Sequence, residues 1–296
     1  MSNAIEEYLR ELRAELEGSD PATIQDALAD AEEYLRNGTD QLLANDPGVS
    51  ESAALERAAE GYGSPAEVAA AYKNVEKRTA PPFAHREESN GRSAAARFFG
   101  VFVEPRAYAS LFYMFFALAT GIFYFTWVVT GVSLSFGFLI LIIGLPFIAL
   151  FLLSVRGLSL VEGRVVEALL GVRMPRRAPS SEKHLKIWNR VIRLFKDRRL
   201  WFTMVYMIVQ LPLGIFYFTL FVTMIAFGLA GVAAPVWQYG FGEPTVNIGD
   251  SVYFVPGWLM PLVVVVGVLW LLLTLHLARI FGRFHGAFAK RMLVRL

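Results

Sequence analysis

The chain contains no cysteine. Disulfides and thiolate chemistry are excluded, and the sequence carries no sign of its redox compartment. Charge is the second thing missing. Residues 107–155, 200–242 and 251–278 hold no Asp, Glu, Lys or Arg. Soluble helices carry a polar face, so runs of this length without one exclude a single soluble core. Histidine is scarce too. His85, His184, His276 and His285 are scattered, and the last two are out of phase on a helix, so they share no metal. There is no Walker A sequence and no nucleophile elbow, and no Asp or Glu lies inside an expected crossing. The expectation is a protein that is not an enzyme, with no catalytic residue, no metal and no cofactor, and no ion-transport path.

What is abundant is apolar surface. Hydrophobic residues make up 55% of the 296, including 24 Phe, and about 20 helical residues cross a bilayer core of about 30 Å. Four crossings are expected, at about 107–129, 134–155, 201–230 and 257–280. The first two are separated by a break at "TGVSLSFG" (130–137), and Pro146 is expected to kink the second. No basic start followed by an apolar stretch precedes the first crossing, which is expected to act as its own insertion signal.

Charge predicts orientation. Residues 156–199 carry twelve Lys or Arg against four acids, and Arg279, Arg283, Lys290, Arg291 and Arg295 follow the last crossing. The segment 231–256 has no Lys or Arg. The positive-inside rule places the basic loop and both termini in the cytoplasm of a multi-pass inner-membrane protein.

Residues 1–80 are of another kind, with 17 acids and 7 basic residues. Ile5, Leu9, Leu12, Leu16 and then Ile24, Leu28, Ala31, Leu35 recur at helical spacing. "GSDPAT" offers Ser19 or Asp20 as an N-cap before Pro21, and Ser50 is a further cap. Ser64, Pro65 and Glu67 form a capping box after Gly61–Gly63. The pattern predicts an acidic bundle of about four helices over 1–76, then a polar, Pro-containing linker over 77–93. "IEEYLRELRAEL", "DALADAEEYLRNG" and "ALERAAEGYGSPAEVAAAY", with Gly63, Ser64, Pro65, Glu67, Val68, Ala69 and Tyr72 in the closing motif, resemble HAAS domains. That resemblance implies a helical signalling module placed before membrane segments in bacteria, without catalytic residues, and a partner of the PadR-type regulator class.

"GIFYFT" occurs twice, at Gly121–Thr126 and Gly214–Thr219. At this offset of 93, residues 104–130 align with 197–223 without a gap and twelve of the 27 positions are identical. At an offset of 123, Arg156/Arg279, Gly163/Gly286 and Leu170/Leu293 coincide. "SAAARFFGVFV" precedes the first copy and "HLKIWNRVIRLFK" the second, both read as helices lying in the inner interface. The fold expected is all-α: a small soluble bundle, then a four-helix transmembrane domain over 94–296 built from two parallel two-helix repeats with interfacial amphipathic helices.

Asp197, Trp201, Tyr206, Leu211, Pro212, Leu213, Gly214 and Phe218, with Glu162, Arg164, Leu169, Leu170 and Gly171, resemble the motifs of the four-helix "putative sensor" domain of bacterial signalling proteins. Arg198 stands where that pattern has Pro, and Ala119-Thr120 replaces Pro-Leu in the first unit. Relatives often carry a histidine kinase after this domain; the sequence here stops at Leu296, so output is expected through the head or a partner.

Three candidate surfaces follow. Trp237, Tyr239, Phe241, Glu243, Asp250, Tyr253 and Trp258 form an outer-loop ligand surface or an aromatic belt. Gly121, Phe123, Tyr124, Gly214, Phe216 and Tyr217 form the interface between repeats, where glycine permits close helix approach. Arg173, Arg176, Arg177, Lys186, Arg190 and Arg193 contact anionic lipid or the acidic head. Gln210 is expected to bond across helices or to satisfy a carbonyl freed by Pro212. The function expected is a sensor that relays an envelope or lipid-phase cue to a cytoplasmic protein, without direct nucleic-acid contact. The alternatives are an accessory or structural subunit of a membrane transporter, or a lipid-binding module. Self-association stays open.

Overall fold

The structure is a computed structural model and describes residues 2–46, 48–84, 93, 98–138, 144–176, 197–248 and 251–294. The head folds as α1 (Ser2–Glu15), α2 (Pro21–Asn45), α3 (Glu51–Tyr62) and α4 (Pro65–Arg78). Its punctuation is local chemistry. Asp20 caps α2 by accepting from the Ala22 amide at 2.9 Å, with Pro21 where a missing N–H costs nothing. Ser64 and Glu67 close a capping box on α4, and Gly63 before it sits at φ 106°, a conformation side chains disfavour. The i, i+4 stripe then buries Leu12 and Leu16 against Ala27, Ala31, Val68 and Ala69. Ile5 and Leu35 pack with Leu55 and Ala58. Tyr8 bridges the bundle, donating to the Gly63 carbonyl at 2.7 Å. Burial, followed by the nearby Tyr62 and Glu67, pushes the Tyr8 hydroxyl up to about 12.

Beyond the head run α5 (Pro105–Phe138), α6 (Gly144–Leu170), α7 (Arg198–Pro235) and α8 (Met260–Leu293). All four contain stretches long and apolar enough to cross a membrane, as a multi-pass membrane protein requires. At 1.5 Å per residue the shortest of them is about 40 Å long, more than a core of about 30 Å needs.

Several boundaries differ from the sequence expectation. The break expected at 130–137 is helical, because α5 continues to Phe138. The Ser135 hydroxyl is spent on its own helix, donating to the Gly131 carbonyl at 2.6 Å, so it demands no turn. The second crossing and the first part of the basic segment after it, residues 156–170, form one helix, α6. Charge at Arg156, Glu162, Arg164 and Glu167 ends the apolar run, but these are good helix formers and do not end the helix. Pro146 falls in the first turn of α6, not at a kink inside it. In the stretch before α5 expected to be an amphipathic helix, Phe98 and Phe99 are helical and Gly100–Val103 is a 3₁₀ turn, while residues 94–97 lie outside the described residues. Its counterpart over 184–196 lies outside the described residues. After α7 a single π turn, Val236–Gly240, leads to a two-stranded ribbon, β1 (Val246–Ile248) and β2 (Ser251–Tyr253), pairing Val246 with Tyr253.

The chain divides into two compact units. The first holds the head, residues 128–206 and residues 287–296; the second holds residues 85–127 and 207–286. In the second, Gly121 of α5 lies on the backbone of Gln210 and Leu211, and Gly214 of α7 lies on that of Ala117 and Leu118. Phe115 meets Phe218 edge-on at 5.8 Å. At these two glycines α5 and α7 come into direct backbone contact.

Candidate functional site: buried polar ties and the seat of the head

In the first unit α6 and α7 are joined twice. Arg156 and Asp197 form an ion pair at 2.7 Å, both largely shielded. Asp197 also accepts from the Arg199 amide at 3.1 Å and so caps α7. Two turns further along, Glu162 is fully buried and accepts a hydrogen bond from the Tyr206 hydroxyl at 2.9 Å. The Phe288 ring covers Tyr206 at 5.5 Å. A carboxylate in such a place is costly unless it is bonded, and Tyr206 supplies a donor.

The second unit carries its own ion pair, Arg279 to Glu104 at 2.6 Å. It also has a buried tyrosine bond, Tyr113 to His285 Nε2 at 2.8 Å. His285 Nδ1 meets the Tyr217 hydroxyl at 3.3 Å, so both ring nitrogens are engaged. Gln210 reaches across from α7, donating from Nε2 to Tyr113 at 3.3 Å and to Thr120 at 3.4 Å. Its Oε1 is buried without a hydrogen-bond partner among the described residues. At the offsets of 93 and 123, Tyr113 corresponds to Tyr206, His285 to Glu162, Glu104 to Asp197 and Arg279 to Arg156.

The end of α6 meets the head within the first unit. Gly171 terminates the helix at φ 67°, and a side chain there would come within 2.1 Å of the Phe83 carbonyl. Glycine therefore lets the turn after α4 lie directly on the end of α6. Arg173 then donates to Thr23 Oγ1 at 2.8 Å and to Thr79 Oγ1 at 3.1 Å, with a second bond to the Thr79 carbonyl. The Arg176 amide donates to Asp26 at 2.7 Å. Lys290 near the end of α8 pairs with Asp20 at 2.5 Å. Asp20, Thr23 and Asp26 all lie in the cap and first turns of α2, so one short stretch of the head is bonded to the ends of two membrane helices. Elsewhere the head has an open groove of about 570 Å³ in which Asp30 and Glu33 sit beside Tyr34, Tyr62 and Tyr72.

The other sequence candidates fall as follows. Tyr124 and Tyr217 are buried, while the adjacent Phe123 and Phe216 are half exposed. Arg177, Lys186, Arg190, Arg193 and Asp250 lie outside the described residues. In the segment between α7 and α8, expected to be the outer loop, Trp237, Tyr239, Phe241, Glu243, Tyr253 and Trp258 are exposed. The residue that organises this loop is Gln238, which was not singled out by sequence. It donates to the Val255 carbonyl at 2.8 Å and accepts from the Val255 amide at 2.9 Å and Thr245 at 2.7 Å. Among the described residues no cluster of His, Asp or Glu forms a metal site. Sequence reasoning also passed over Glu162 and His285 as a matched pair. The signal existed, since each immediately precedes one of the aligned glycines, Gly163 and Gly286.

A family model described as "Putative sensor" matches residues 113–293, and one described as "HAAS" matches residues 7–71. No curated protein and no solved structure matches the chain.

Proposed function

The chain belongs to the "Putative sensor" family, with a HAAS domain ahead of that domain, and from this premise we propose a non-enzymatic bacterial signalling protein of the inner membrane. Its helices register an envelope or lipid-phase cue and the acidic head passes it to a cytoplasmic protein. The observation that carries this reading is the seat of α2. Asp20, Thr23 and Asp26 are held by Lys290, Arg173 and Arg176, which end α8 and follow α6. A shift of either helix pulls on the same turn of the head. The head groove beside Asp30 and Glu33 suits a basic surface on the partner, and a PadR-type regulator is the partner class the head implies.

The four helices are further read as a duplicated two-helix unit. The ion pair and the buried tyrosine bond each recur at corresponding positions, which supports a common origin. Orientation follows charge: the basic segment 156–199 and both termini face the cytoplasm.

Deleting residues 1–76 and following a reporter of the partner regulator tests the relay. The output is expected to become insensitive to the cue; an unchanged response removes the relay reading. Recovery of a transporter ATPase or permease in fixed ratio in mild detergent would instead assign the chain to a transporter complex.

A further inference from the structure

A second feature of the first unit is unused by the contacts above. A cavity of about 320 Å³ opens where the end of α5, the start of α6 and the start of α7 come together. Val132 and Phe136 come from α5, Phe151 and Leu152 from α6, Trp201 and Met204 from α7. Its volume is at the lower end of ligand-sized cavities, and such sites usually place a few polar groups to orient a polar ligand. This one places none. Its one hydroxyl, on Ser135, is spent on the Gly131 carbonyl at 2.6 Å. No charged residue lies within 132–136, 148–152 or 200–204. All three segments belong to helices suited by length and composition to cross the membrane, and a bilayer around them would bring hydrocarbon to the opening.

We propose that this cavity receives the acyl tail of a membrane lipid, and that its occupancy is the lipid-phase cue. The identity of the cue rests on the sensor reading above; binding itself does not. An apolar wall with no free hydrogen-bonding group favours a chain that needs none. The place is also one from which occupancy can be transmitted. Met204 is two residues from Tyr206, whose hydroxyl holds Glu162, and Leu152 is one turn before Arg156, which holds Asp197. A tail lodged between α6 and α7 therefore loads both ties, and α6 ends where Gly171 and Arg173 seat the head. Phe151 sets the width. A side chain at position 131 would come within 2.0 Å of its ring, so Gly131→Ala drives that ring into the cavity.

The experiment is photolabelling in nanodiscs of phosphatidylglycerol and phosphatidylethanolamine. The probe is a trace phospholipid with a diazirine near the tail end. Phe151, Leu152 and Met204 are only 6%, 4% and 7% exposed, whereas Leu150 on the same helix is 67% exposed and reports bulk lipid. Adducts are expected on the shielded residues as well as on Leu150. Gly131→Ala and, separately, Met204→Trp are expected to abolish the adducts at Leu152 while Leu150 stays labelled, which also shows that the variant is folded. Label on Leu150 alone in the unmodified protein overturns the proposal, as does shielded-wall labelling that survives both substitutions. If a free diazirine fatty acid labels the wall and the phospholipid does not, the occupant is a free amphiphile and the lipid assignment falls. Labelling is read without any signalling output. An unlabelled wall thus sinks this proposal alone, and an unresponsive reporter sinks only the relay.

Discussion

The Tyr206 hydroxyl donates to the Glu162 carboxylate at 2.9 Å, and both side chains are fully buried. Removing the donor alone leaves a buried carboxylate with less compensation, whereas replacing both partners with apolar groups removes the demand. Tyr206→Phe is expected to destabilise the protein by about 1–3 kcal/mol. Combining it with Glu162→Leu is expected to recover most of that loss. A double-mutant cycle on thermal unfolding in detergent measures the coupling; additive losses would mean the bond contributes nothing.

Glycine at the α5–α7 contact is a matter of space. A Cβ on Gly121 would meet the Gln210 carbonyl at 2.8 Å, and one on Gly214 would meet the Ala117 carbonyl at 2.5 Å. These neighbours are backbone and cannot swing aside. Gly121→Leu and Gly214→Leu are each expected to lower the melting temperature markedly, and Gly→Ala at either site to do so less. Gly157→Ala, where nothing lies within 4 Å, is the matched control and is expected to be neutral.

The seat of the head depends on one guanidinium reaching both Thr23 and Thr79. Arg173→Ala is expected to speed hydrogen exchange in the first turns of α2 and in residues 79–84. Arg173→Lys is expected to restore little of the protection, because an ammonium cannot span both partners as the planar fork does. Raising salt is expected to weaken the Lys290–Asp20 pair before the Arg173 bonds to neutral threonine. Exchange rates indifferent to both substitutions would remove the seat as a coupling point.

The capping box on α4 makes the head sensitive to acid. Hydrogen bonds from the Ser64 amide, then from its hydroxyl, hold the Glu67 carboxyl below its ordinary value of 4.5. A depressed folded-state value stabilises the fold fully above the unfolded value, and that contribution is lost as pH falls through the folded value. Protection of the first turn of α4 is therefore expected to decline in acid below pH 4.5. In Glu67→Gln, which keeps an acceptor but does not titrate, the decline is expected to flatten. Hydrogen exchange across a pH series, corrected for intrinsic rates, distinguishes the two.

Orientation is open to direct chemistry because the chain has no cysteine of its own. A membrane-impermeant maleimide is expected to label Glu243→Cys in intact cells, and Glu56→Cys only after permeabilisation. The reverse pattern would overturn the charge-based orientation.

Much was legible because it is written in local chemistry. Ser50, Ser64 and Asp20 announce helix starts through their own hydrogen bonds, and uncharged runs announce membrane helices through composition. Boundaries were harder where composition and backbone part company. Arg156 ends an apolar run without ending α6, and Ser135 marks no turn because its hydroxyl bonds one turn back. The "E-x-R-x-x-x-x-L-L-G" motif was visible as spelling, but its reasons are tertiary. Glu162 meets Tyr206 across 44 positions, and Gly171 clears a path for Phe83.

The sequence by itself determined that this is an acidic helical head before four membrane helices, and that two stretches of those helices correspond. Periodicity, caps and missing charge depend only on near neighbours and on the solvent each segment requires. Tertiary structure decided the rest: which corresponding residues touch, the backbone contact of α5 and α7 at Gly121 and Gly214, and the turn of α2 that holds two helix ends. Those depend on contacts between residues far apart in the chain, whose geometry no local pattern encodes.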